Sequence, residues 1–294
     1  MTRVVVLGCG YVGCTLARQL DCEVVGVRRS QSGLASVKST GAQAVQADVT
    51  DPELLAAVPD ADWLVFAASA GGRGAAAARE TYVEGLRTAI EHFASRDSPP
   101  DRVVYTSSTG VYGDHGGAWV DEETPIDPAT ERTTVLATAE RIALDPPDGI
   151  DGTVLRFGGL YGPDRYRLER YLEGPVTAGY LNLIHRDDAA GAVAFLLETD
   201  AGRGRVVNAV DDEPVEKWEF ADWLAEQCAQ APPPKQPIEE RLAEVDDESR
   251  QRIRANKRVS NDRLHTLGYE FTYPTVWDGY RDPIDAYNAG ESID

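Results

Sequence analysis

Three glycines near the start of the chain have the spacing of a loop that binds the phosphates of a dinucleotide. Gly8, Gly10 and Gly13 form a G-x-G-x-x-G pattern that includes Tyr11 and Val12 and follows an apolar run. The first glycine permits a tight turn, the second lets the backbone approach a pyrophosphate, and the third lets a helix pack closely on a strand. The helix that begins here offers N–H groups and a positive dipole end to an anion. A glycine-rich turn without a ligand is the alternative.

The residues about twenty positions after the first glycine indicate which coenzyme the loop favours. An acidic side chain at that point would bind the ribose 2′-hydroxyl of NAD. The sequence has Arg28, Arg29 and Ser30 instead, and guanidinium groups with a hydroxyl suit a 2′-phosphate. We therefore expect NADP as the cofactor, with NAD as the second choice. Two solvated arginines at the end of a strand are the alternative interpretation.

Short apolar runs alternate with helical patterns through the first half of the chain and would position this loop. Such alternation predicts parallel βαβ units, and hence an α/β fold with a doubly wound parallel Rossmann sheet. We expect the NAD(P)-binding Rossmann domain in residues 1–160 and a smaller, partly interleaved C-terminal substrate lobe in residues 161–294. The predicted strands are Arg3–Leu7, Glu23–Val27, Ala42–Val45, Asp62–Ala67, Arg102–Thr106 and Thr153–Phe157. The predicted helices in this half are Tyr11–Leu20, Asp51–Val58, Ala75–Ala94 and Thr130–Leu144.

The pattern changes after Gly162, where tyrosine and charged residues become frequent. We expect a short strand at Arg205–Ala209 and helices at Asp188–Glu198 and Trp218–Ala229. The stretch Ile238–Lys257, which mixes acidic and basic residues, is predicted to form a helix with a solvated face.

Several segments, in their order and spacing along nearly the whole chain, resemble the extended short-chain dehydrogenase/reductase superfamily of the NAD-dependent epimerase/dehydratase type. Besides the glycine loop, they are YTSSTGVYG at Tyr105–Gly113, LRFGGLYGP at Leu155–Pro163 and NLIHRDDAA at Asn182–Ala190. The resemblance implies the same Rossmann fold and a nicotinamide cofactor.

The resemblance also assigns residues at the ends of the third, fourth and fifth strands to the cofactor site. The implied cofactor contacts are Asp48 and Val49 near adenine, Ala67 and Ala68 beside the nicotinamide ribose, and Ser107. The neighbouring Ser108 matches the family's substrate-binding serine.

The catalytic centre departs from the family pattern. Members usually carry a Tyr-x-x-x-Lys pair, in which the tyrosine exchanges the proton and the lysine holds the ribose, and a glutamate follows four residues later. Alignment on Glu140 puts Leu136 in the lysine position and Arg132 in the tyrosine position. Tyr82 stands where the family commonly has asparagine. The resemblance therefore implies an atypical subgroup with an intact cofactor loop and an altered catalytic centre.

The candidate catalytic residues are therefore not the usual pair. The candidates are Ser108 at the end of the fifth strand, Tyr112, whose phenol could point into the same cleft, and Arg132, which could bind an anionic substrate or the cofactor phosphate. Packing under the loop is the alternative for Tyr112, and a solvated helix start is the alternative for Arg132.

Ser108 and three later residues are the candidate substrate contacts. Tyr161 could shape the cleft, and Arg165 could bind a phosphate, with a surface salt bridge as its alternative. His185 could contact substrate, although a structural hydrogen bond near Asp187 is the stronger interpretation.

The composition limits the partners that we expect. The 294 residues carry 49 acidic and 29 basic side chains, only four of the latter lysine, for a net charge of −20. This charge repels phosphate backbones and disfavours a nucleic-acid partner. An acidic chain poor in lysine is typical of a salt-loving source. An ordinary acidic protein from a GC-rich genome is the alternative.

Cysteines and apolar runs give no sign of a metal or a membrane. Cys9, Cys14, Cys22 and Cys228 form no C-x-x-C pair, so we expect neither a disulfide framework nor a zinc or other metal site. The first residues lack the pattern of a signal peptide, and no apolar run is long enough to span a bilayer. We expect a cytoplasmic protein without a membrane partner.

Two functions from different classes fit these features. One is an NAD(P)-dependent oxidoreductase or epimerase that acts on a sugar-like or nucleotide-linked small molecule through a non-standard catalytic centre. The other is a catalytically silent NADP-binding sensor or scaffold. The resemblance also implies a homodimer in which the helices at Ala75–Ala94 and Thr130–Leu144 pair.

Overall fold

A computed structural model describes residues 2–72 and 74–291 of the chain. Its strands are β1 Arg3–Leu7, β2 Glu23–Arg28, β3 Gln43–Gln46, β4 Trp63–Phe66, β5 Arg102–Ser108, β6 Trp119–Val120, β7 Asp151–Phe157, β8 Gly159–Tyr161, β9 Val176–Thr177, β10 Tyr180–Leu181, β11 Leu183–His185, β12 Val206–Ala209, β13 Val215–Glu216, β14 Lys235–Gln236 and β15 Arg258–Val259. Its α-helices are α1 Tyr11–Gln19, α2 Gln31–Lys38, α3 Pro52–Leu55, α4 Ala75–Arg79, α5 Leu86–Ala94, α6 Glu131–Leu144, α7 Leu168–Glu173, α8 Arg186–Glu198, α9 Lys217–Gln227, α10 Ile238–Ala243, α11 Asp247–Arg254, α12 Asp262–Leu267, α13 Val276–Gly279 and α14 Arg281–Ala289.

The chain divides into two compact units. The first comprises residues up to Val111, Glu131–Arg156 and Ala189–Val207. The second comprises Tyr112–Thr130, Phe157–Asp188 and the chain from Asn208 onward.

The first unit contains a seven-stranded sheet in the order β12-β7-β5-β4-β1-β2-β3. The pairs β1–β2, β1–β4, β2–β3 and β4–β5 are parallel, with Val5 opposite both Val25 and Leu64. This confirms the predicted doubly wound Rossmann sheet. Strand order reverses at β1, so the crevice at the carboxyl ends of β1 and β4 is the switch point at which such sheets bind ligands.

The apolar runs of the sequence form the core of this unit. The four residues from Val4 to Leu7 are fully buried, as expected for a strand covered by helices on both faces. Asp51 caps α3 by accepting hydrogen bonds from the N–H groups of Glu53 and Leu54, as predicted, although that helix ends at Leu55 rather than at residue 58. Helix α2 was not predicted.

The helix predicted over residues 75–94 is interrupted. A π-helical turn, Glu80–Gly85, separates α4 from α5. The apolar stripe of Tyr82, Leu86, Ile90 and Phe93 is nevertheless buried as the sequence indicated. Gly85 lies close to Val49, since a Cβ on this glycine would be 2.8 Å from the Val49 Cγ2 atom. The wider turn therefore places the start of α5 directly against the segment that follows β3.

The second unit has four two-stranded sheets, β10–β13, β11–β8, β14–β9 and β15–β6. Its core is aromatic: the ring of Tyr280 stacks on that of Tyr161 at 5.3 Å and meets that of Phe220 edge to face at 5.0 Å. The prediction of a single helix over residues 238–257 is wrong. Two helices, α10 and α11, form instead, because Asp246 accepts a hydrogen bond from the Ser249 N–H and begins a new helix. Within the described ranges, no helix is both long enough and apolar enough to cross a membrane.

Candidate functional site

The loop that follows β1 has a shape that only glycine allows at its first position. Gly8 has a φ of 84°, and a Cβ on it would lie 2.2 Å from the Cα atom of Ala68. The N–H groups of Gly8 and Cys9 donate to the Val27 carbonyl at 3.2 and 3.1 Å. The loop is therefore fixed between the end of β2 and the segment after β4, at the switch point of the sheet.

Helix α1 begins directly from this loop and is open to an anion. Its N-cap is Gly10, which provides no capping side chain, and no acidic residue lies in its first turn. The first N–H groups of a helix have no partner within the helix, and they carry the positive end of its dipole. Tyr11 is half-buried here, whereas Val12 is buried. A Cβ on Gly13 would approach the Val6 Cγ1 atom to 3.0 Å, so this glycine allows α1 to pack closely on β1.

Arg28, at the end of β2, lies over the glycine loop. Its Nη1 atom donates to the Cys9 carbonyl at 3.1 Å, and a Cβ on Gly10 would be 2.6 Å from the same atom. Gly10 is therefore the residue that makes room for the guanidinium. The sequence predicted that Arg28 serves a phosphate of the cofactor, and the structure adds a contact with the loop backbone.

Arg29 and Ser30 differ in how they are held. The Arg29 Nη1 atom lies 3.4 Å from the Asp48 Oδ2 atom, and a Cβ on Gly71 would be 2.3 Å from the Arg29 Nη2 atom. The Arg29 side chain is 54% exposed. The Ser30 hydroxyl caps α2 by accepting a hydrogen bond from the Gly33 N–H at 3.1 Å. Both residues are exposed, but the Ser30 hydroxyl serves as a helix cap, whereas the Arg29 guanidinium contacts a carboxylate.

Asp48 follows β3 and is kept ionised by its neighbours. Burial raises the pKa of Asp48, but hydrogen bonds from the N–H and hydroxyl of Thr50, together with Arg29, bring it below the ordinary aspartate value. Val49 is buried beside it. Because Gly8 packs on the backbone of Ala67 and Ala68, these two residues stand directly against the glycine loop. The predicted cofactor residues of β1, β2, β3 and β4 thus lie at one edge of the sheet.

At the end of β5, the two predicted serines have separate partners. The Ser107 hydroxyl donates to the Glu140 Oε1 atom at 2.6 Å in a buried contact. Glu140 also accepts two hydrogen bonds from Arg156, at 2.9 and 2.7 Å. The Ser108 hydroxyl accepts a hydrogen bond from the Gly110 N–H at 3.1 Å and remains partly exposed.

Arg132 lies in the first turn of α6 and contacts a residue that the sequence did not connect with it. Its Nη2 atom donates to the Tyr82 hydroxyl at 3.1 Å, and its guanidinium carbon lies 5.5 Å from the centroid of the Tyr82 ring. Leu136, one turn later, is 9% exposed and belongs to the core. The only sequence signal for this contact was the unusual tyrosine at position 82.

In the second unit, three of the four predicted residues are buried. Tyr112 is fully buried, and its hydroxyl donates to the Asn208 Oδ1 atom at 2.9 Å, as expected for the packing alternative. Tyr161 is 2% exposed within the aromatic core. Arg165 is exposed.

His185 is 1% exposed and lies 3.9 Å, ring to ring, from Tyr273. Its Nδ1 atom accepts a hydrogen bond from the Asp187 N–H at 3.2 Å. Burial lowers the pKa of His185 to about 4, so the ring is neutral at pH 7. A neutral, buried imidazole bonded to its own turn is the structural arrangement that the sequence favoured.

Comparison with known proteins identifies the family. The sequence model of the NAD dependent epimerase/dehydratase family matches residues 4–209, which is more than half of the chain. The chain belongs to this family. The match covers β1 to β12 and thus the whole seven-stranded sheet.

Two sequences and two solved structures illustrate the similarity. Protein YeeZ of Escherichia coli K12 is 29% identical over 286 residues, which cover 93% of this chain and 97% of YeeZ. A 3-diazoavenalumate denitrifying reductase from a Streptomyces species is 29% identical over 213 residues, which cover 67% of this chain and 68% of that protein.

A structure from Methylobacillus flagellatus, described as a candidate NAD-dependent epimerase/dehydratase, is 31% identical, with a TM-score of 0.77 and coverage of 97% of this chain and 98% of that chain. The human epimerase family protein SDR39U1, solved with NADPH, has a TM-score of 0.78 at 21% identity, with coverage of 96% and 98%. At that identity the second structure indicates a shared fold alone.

Proposed function

We propose that the protein is an NADP-dependent oxidoreductase that interconverts a carbonyl and an alcohol on a sugar-like or nucleotide-linked small molecule. The observation that carries this proposal is the glycine loop, with Gly8 in a left-handed turn and Arg28 bonded to the loop at Cys9. A backbone turn, an uncapped helix start and a guanidinium converge there, which suits a pyrophosphate. The relative from Streptomyces is named a reductase, and its named substrate is a diazo compound, so it supports a reduction in general and not the choice of a carbonyl.

The preference for NADP rests on the end of β2. Two arginines follow each other there, and Arg29 has most of its side chain exposed beside Asp48. A guanidinium forms paired hydrogen bonds with phosphate oxygens, which a ribose 2′-hydroxyl cannot match in strength. An acidic side chain, which would favour NAD, is missing from this position.

The residues at the edge of the sheet fit a nicotinamide dinucleotide. The backbone from Gly8 to Gly13 and Arg28 would hold the diphosphate, Arg29 and Asp48 the adenosine end, and Ala67–Ala68 the nicotinamide side. When bound, the cofactor supplies or accepts a hydride. The chain's own part is to orient the reactants, exclude water and move a proton.

A binding protein without turnover is the second candidate function. The observation that favours it is α6, where Arg132 and the buried Leu136 occupy the positions of the usual tyrosine and lysine. On this alternative the protein binds NADPH tightly, and adding carbonyl compounds does not cause it to oxidise the NADPH.

Coenzyme binding by three variants tests the proposal. Dissociation constants for NADPH and NADH are measured by nucleotide fluorescence for the unaltered protein, Arg29→Ala, Arg28→Ala and the exposed control Arg87→Ala. Because a hydrogen bond to a charged group contributes about 1.5–3 kcal/mol, Arg29→Ala should weaken NADPH binding about 10- to 100-fold and leave NADH nearly unchanged. Arg28→Ala should weaken both coenzymes, since Arg28 also holds the Cys9 carbonyl.

The same measurements can refute the proposal. Equal losses for NADPH and NADH in Arg29→Ala would reject the preference for NADP. Failure of the unaltered, folded protein to bind either coenzyme, at low and at high KCl, would reject the function itself. Binding without oxidation by any carbonyl compound would favour the sensor.

A further inference from the structure

The phenol of Tyr82 has an unusual set of hydrogen bonds. Tyr82 lies in the π-helical turn Glu80–Gly85 and is 8% exposed. Its oxygen receives a hydrogen bond from the Ala70 N–H at 3.3 Å and another from the Arg132 Nη2 atom at 3.1 Å. Isolated π-helical turns are rare and occur often at functional sites. Two donors from different elements therefore converge on one hydroxyl oxygen.

This arrangement directs the phenolic proton away from the protein. A tyrosine hydroxyl can accept two hydrogen bonds and donate one. Both acceptor positions of Tyr82 are used, and none of residues 2–72 and 74–291 provides an acceptor for its proton. The hydroxyl is therefore set to donate to a further group. The two donors, one of them cationic, also fix the position of the phenol oxygen.

The position of Tyr82 in the first unit links it to the coenzyme loop. Ala70 is two residues after Ala68, whose backbone packs on Gly8. Arg132 lies in the first turn of α6, and the next residue, Thr133, lies near Gly110, just after β5. The phenol is thus bonded to the segment after β4 at the carboxyl edge of the sheet, where open α/β sheets bind ligands.

Two neighbouring hydroxyl groups, those of Ser107 and Tyr105, are less suited to give up a proton. The Ser107 hydroxyl donates to Glu140. Tyr105 is 1% exposed in β5, and burial raises its pKa well above the ordinary tyrosine value, so its phenol keeps its proton. Tyr82 combines two donors on its oxygen with a free donor direction.

We propose that Tyr82 is the catalytic acid for carbonyl reduction and that Arg132 is a positioning residue that holds its oxygen. This inference rests on the proposed function. A reduced coenzyme supplies the hydride, which forms the new C–H bond at the carbonyl carbon as the C=O π bond breaks. Tyr82 gives its proton to the carbonyl oxygen and forms the O–H bond. The substrate is reduced and the coenzyme oxidised, and the phenolate regains a proton from water.

The test compares Tyr82→Phe with the matched control Tyr105→Phe, which also removes one phenolic hydroxyl from the first unit. NADPH oxidation is followed with 4-nitrobenzaldehyde, cyclohexanone and dihydroxyacetone. General acid catalysis contributes about 100- to 10,000-fold, so Tyr82→Phe should lower kcat at least about 100-fold. NADPH affinity should not change, and Tyr105→Phe should keep the unaltered kcat.

A binding measurement and a second pair of variants separate catalysis from packing. The carbonyl compound that is reduced fastest is titrated into the unreactive complex with NADP⁺ by calorimetry. Tyr82→Phe should bind it about 3- to 10-fold more weakly, because one hydrogen bond is lost. Arg132→Met should lower kcat, and Arg132→Lys should retain more of the kcat than Arg132→Met does. Both variants should keep the thermal midpoint of the unaltered protein. These two variants decide the question if Tyr82→Phe does not fold.

The outcomes distinguish this inference from the proposed function. If Tyr82→Phe keeps the kcat and carbonyl affinity of the unaltered protein, Tyr82 is not the acid, and the oxidoreductase proposal stands. If the unaltered protein binds NADPH but reduces none of the three compounds, both the reductase and the role of Tyr82 are overturned. If it binds no NADPH, the cofactor site itself is wrong.

Discussion

Replacing Glu140 with alanine would leave a buried guanidinium without its carboxylate. Glu140 is 3% exposed, and it accepts hydrogen bonds from the Ser107 hydroxyl at 2.6 Å and from Arg156 at 2.9 and 2.7 Å. Removing one partner of a buried ion pair costs about 3–5 kcal/mol, and an unsatisfied hydroxyl adds about 1 kcal/mol. Since domains of this kind are stable by about 5–15 kcal/mol, Glu140→Ala should remove about a quarter or more of the free energy of unfolding.

Urea denaturation followed by far-UV circular dichroism measures this loss. Glu140→Gln keeps the shape of the side chain and an acceptor for Ser107, so it should lie between the unaltered protein and Glu140→Ala. The double variant Glu140→Met with Arg156→Met removes both charges and should be more stable than Glu140→Ala. A loss below about 1 kcal/mol in Glu140→Ala, or a double variant as unstable as the single one, would refute the assignment of a buried ion pair that fixes the end of β5.

Two further predictions follow from backbone strain and from a buried charge. Gly8→Ala would force a Cβ to within 2.2 Å of the Ala68 Cα atom at a φ of 84°, so both NADPH and NADH should bind at least about 10-fold more weakly, as nucleotide fluorescence would report. An unchanged affinity for both would contradict the loop geometry.

Burial also lowers the pKa of Lys257 from 10.5 to about 8, so the unfolded chain binds more protons than the folded one between these values, and stability rises with pH there. Lys257→Met lacks this dependence. In urea titrations, the free energy of unfolding of the variant minus that of the unaltered protein should therefore become more negative by about 3 kcal/mol from pH 8 to pH 10.5. A difference between the two free energies of unfolding that stays constant over this pH range would contradict the lowered pKa of Lys257.

The sheet of the first unit could be predicted from the sequence because its strands are short, apolar and separated by helical patterns. The run from Val4 to Leu7 has no polar residue and is fully buried, so composition and structure agree closely there. Helix α2 was missed because its sequence, QSGLASVK, has only two apolar residues besides alanine and glycine, Leu34 and Val37. It forms because Ser30 caps it and because Leu34 and Val37 are buried.

Breaks within helical stretches were harder to predict. The stretch over residues 238–257 is charged throughout, and charge alone does not show that Asp246 starts a second helix. The π-helical turn at Glu80–Gly85 shifts the helical pattern by only one residue, and the apolar stripe on either side hides it. In both cases the pattern of apolar residues carries too little information to locate the break.

The candidate site also contains residues that could be predicted from the sequence and a contact that could not. Gly8, Gly10 and Gly13 have roles that follow from backbone geometry within one βαβ unit, so their spacing was enough to predict them. The contact between Tyr82 and Arg132 joins residues 50 positions apart, and no periodicity reports such a pair. The sequence could show only that each residue departs from the family pattern.

These two departures are explained together by the geometry of α6. A lysine in place of Leu136 would have to bury its charge, since that position is 9% exposed among apolar neighbours. Arg132 instead presents its cation at the start of the helix, where it reaches the Tyr82 phenol. On the role proposed for Tyr82, the phenol has moved from α6 to the π-helical turn, whereas the cation remains on α6. The phenol comes from the π-helical turn and the cation from α6, so one hydroxyl and one positive charge still meet at the carboxyl edge of the sheet.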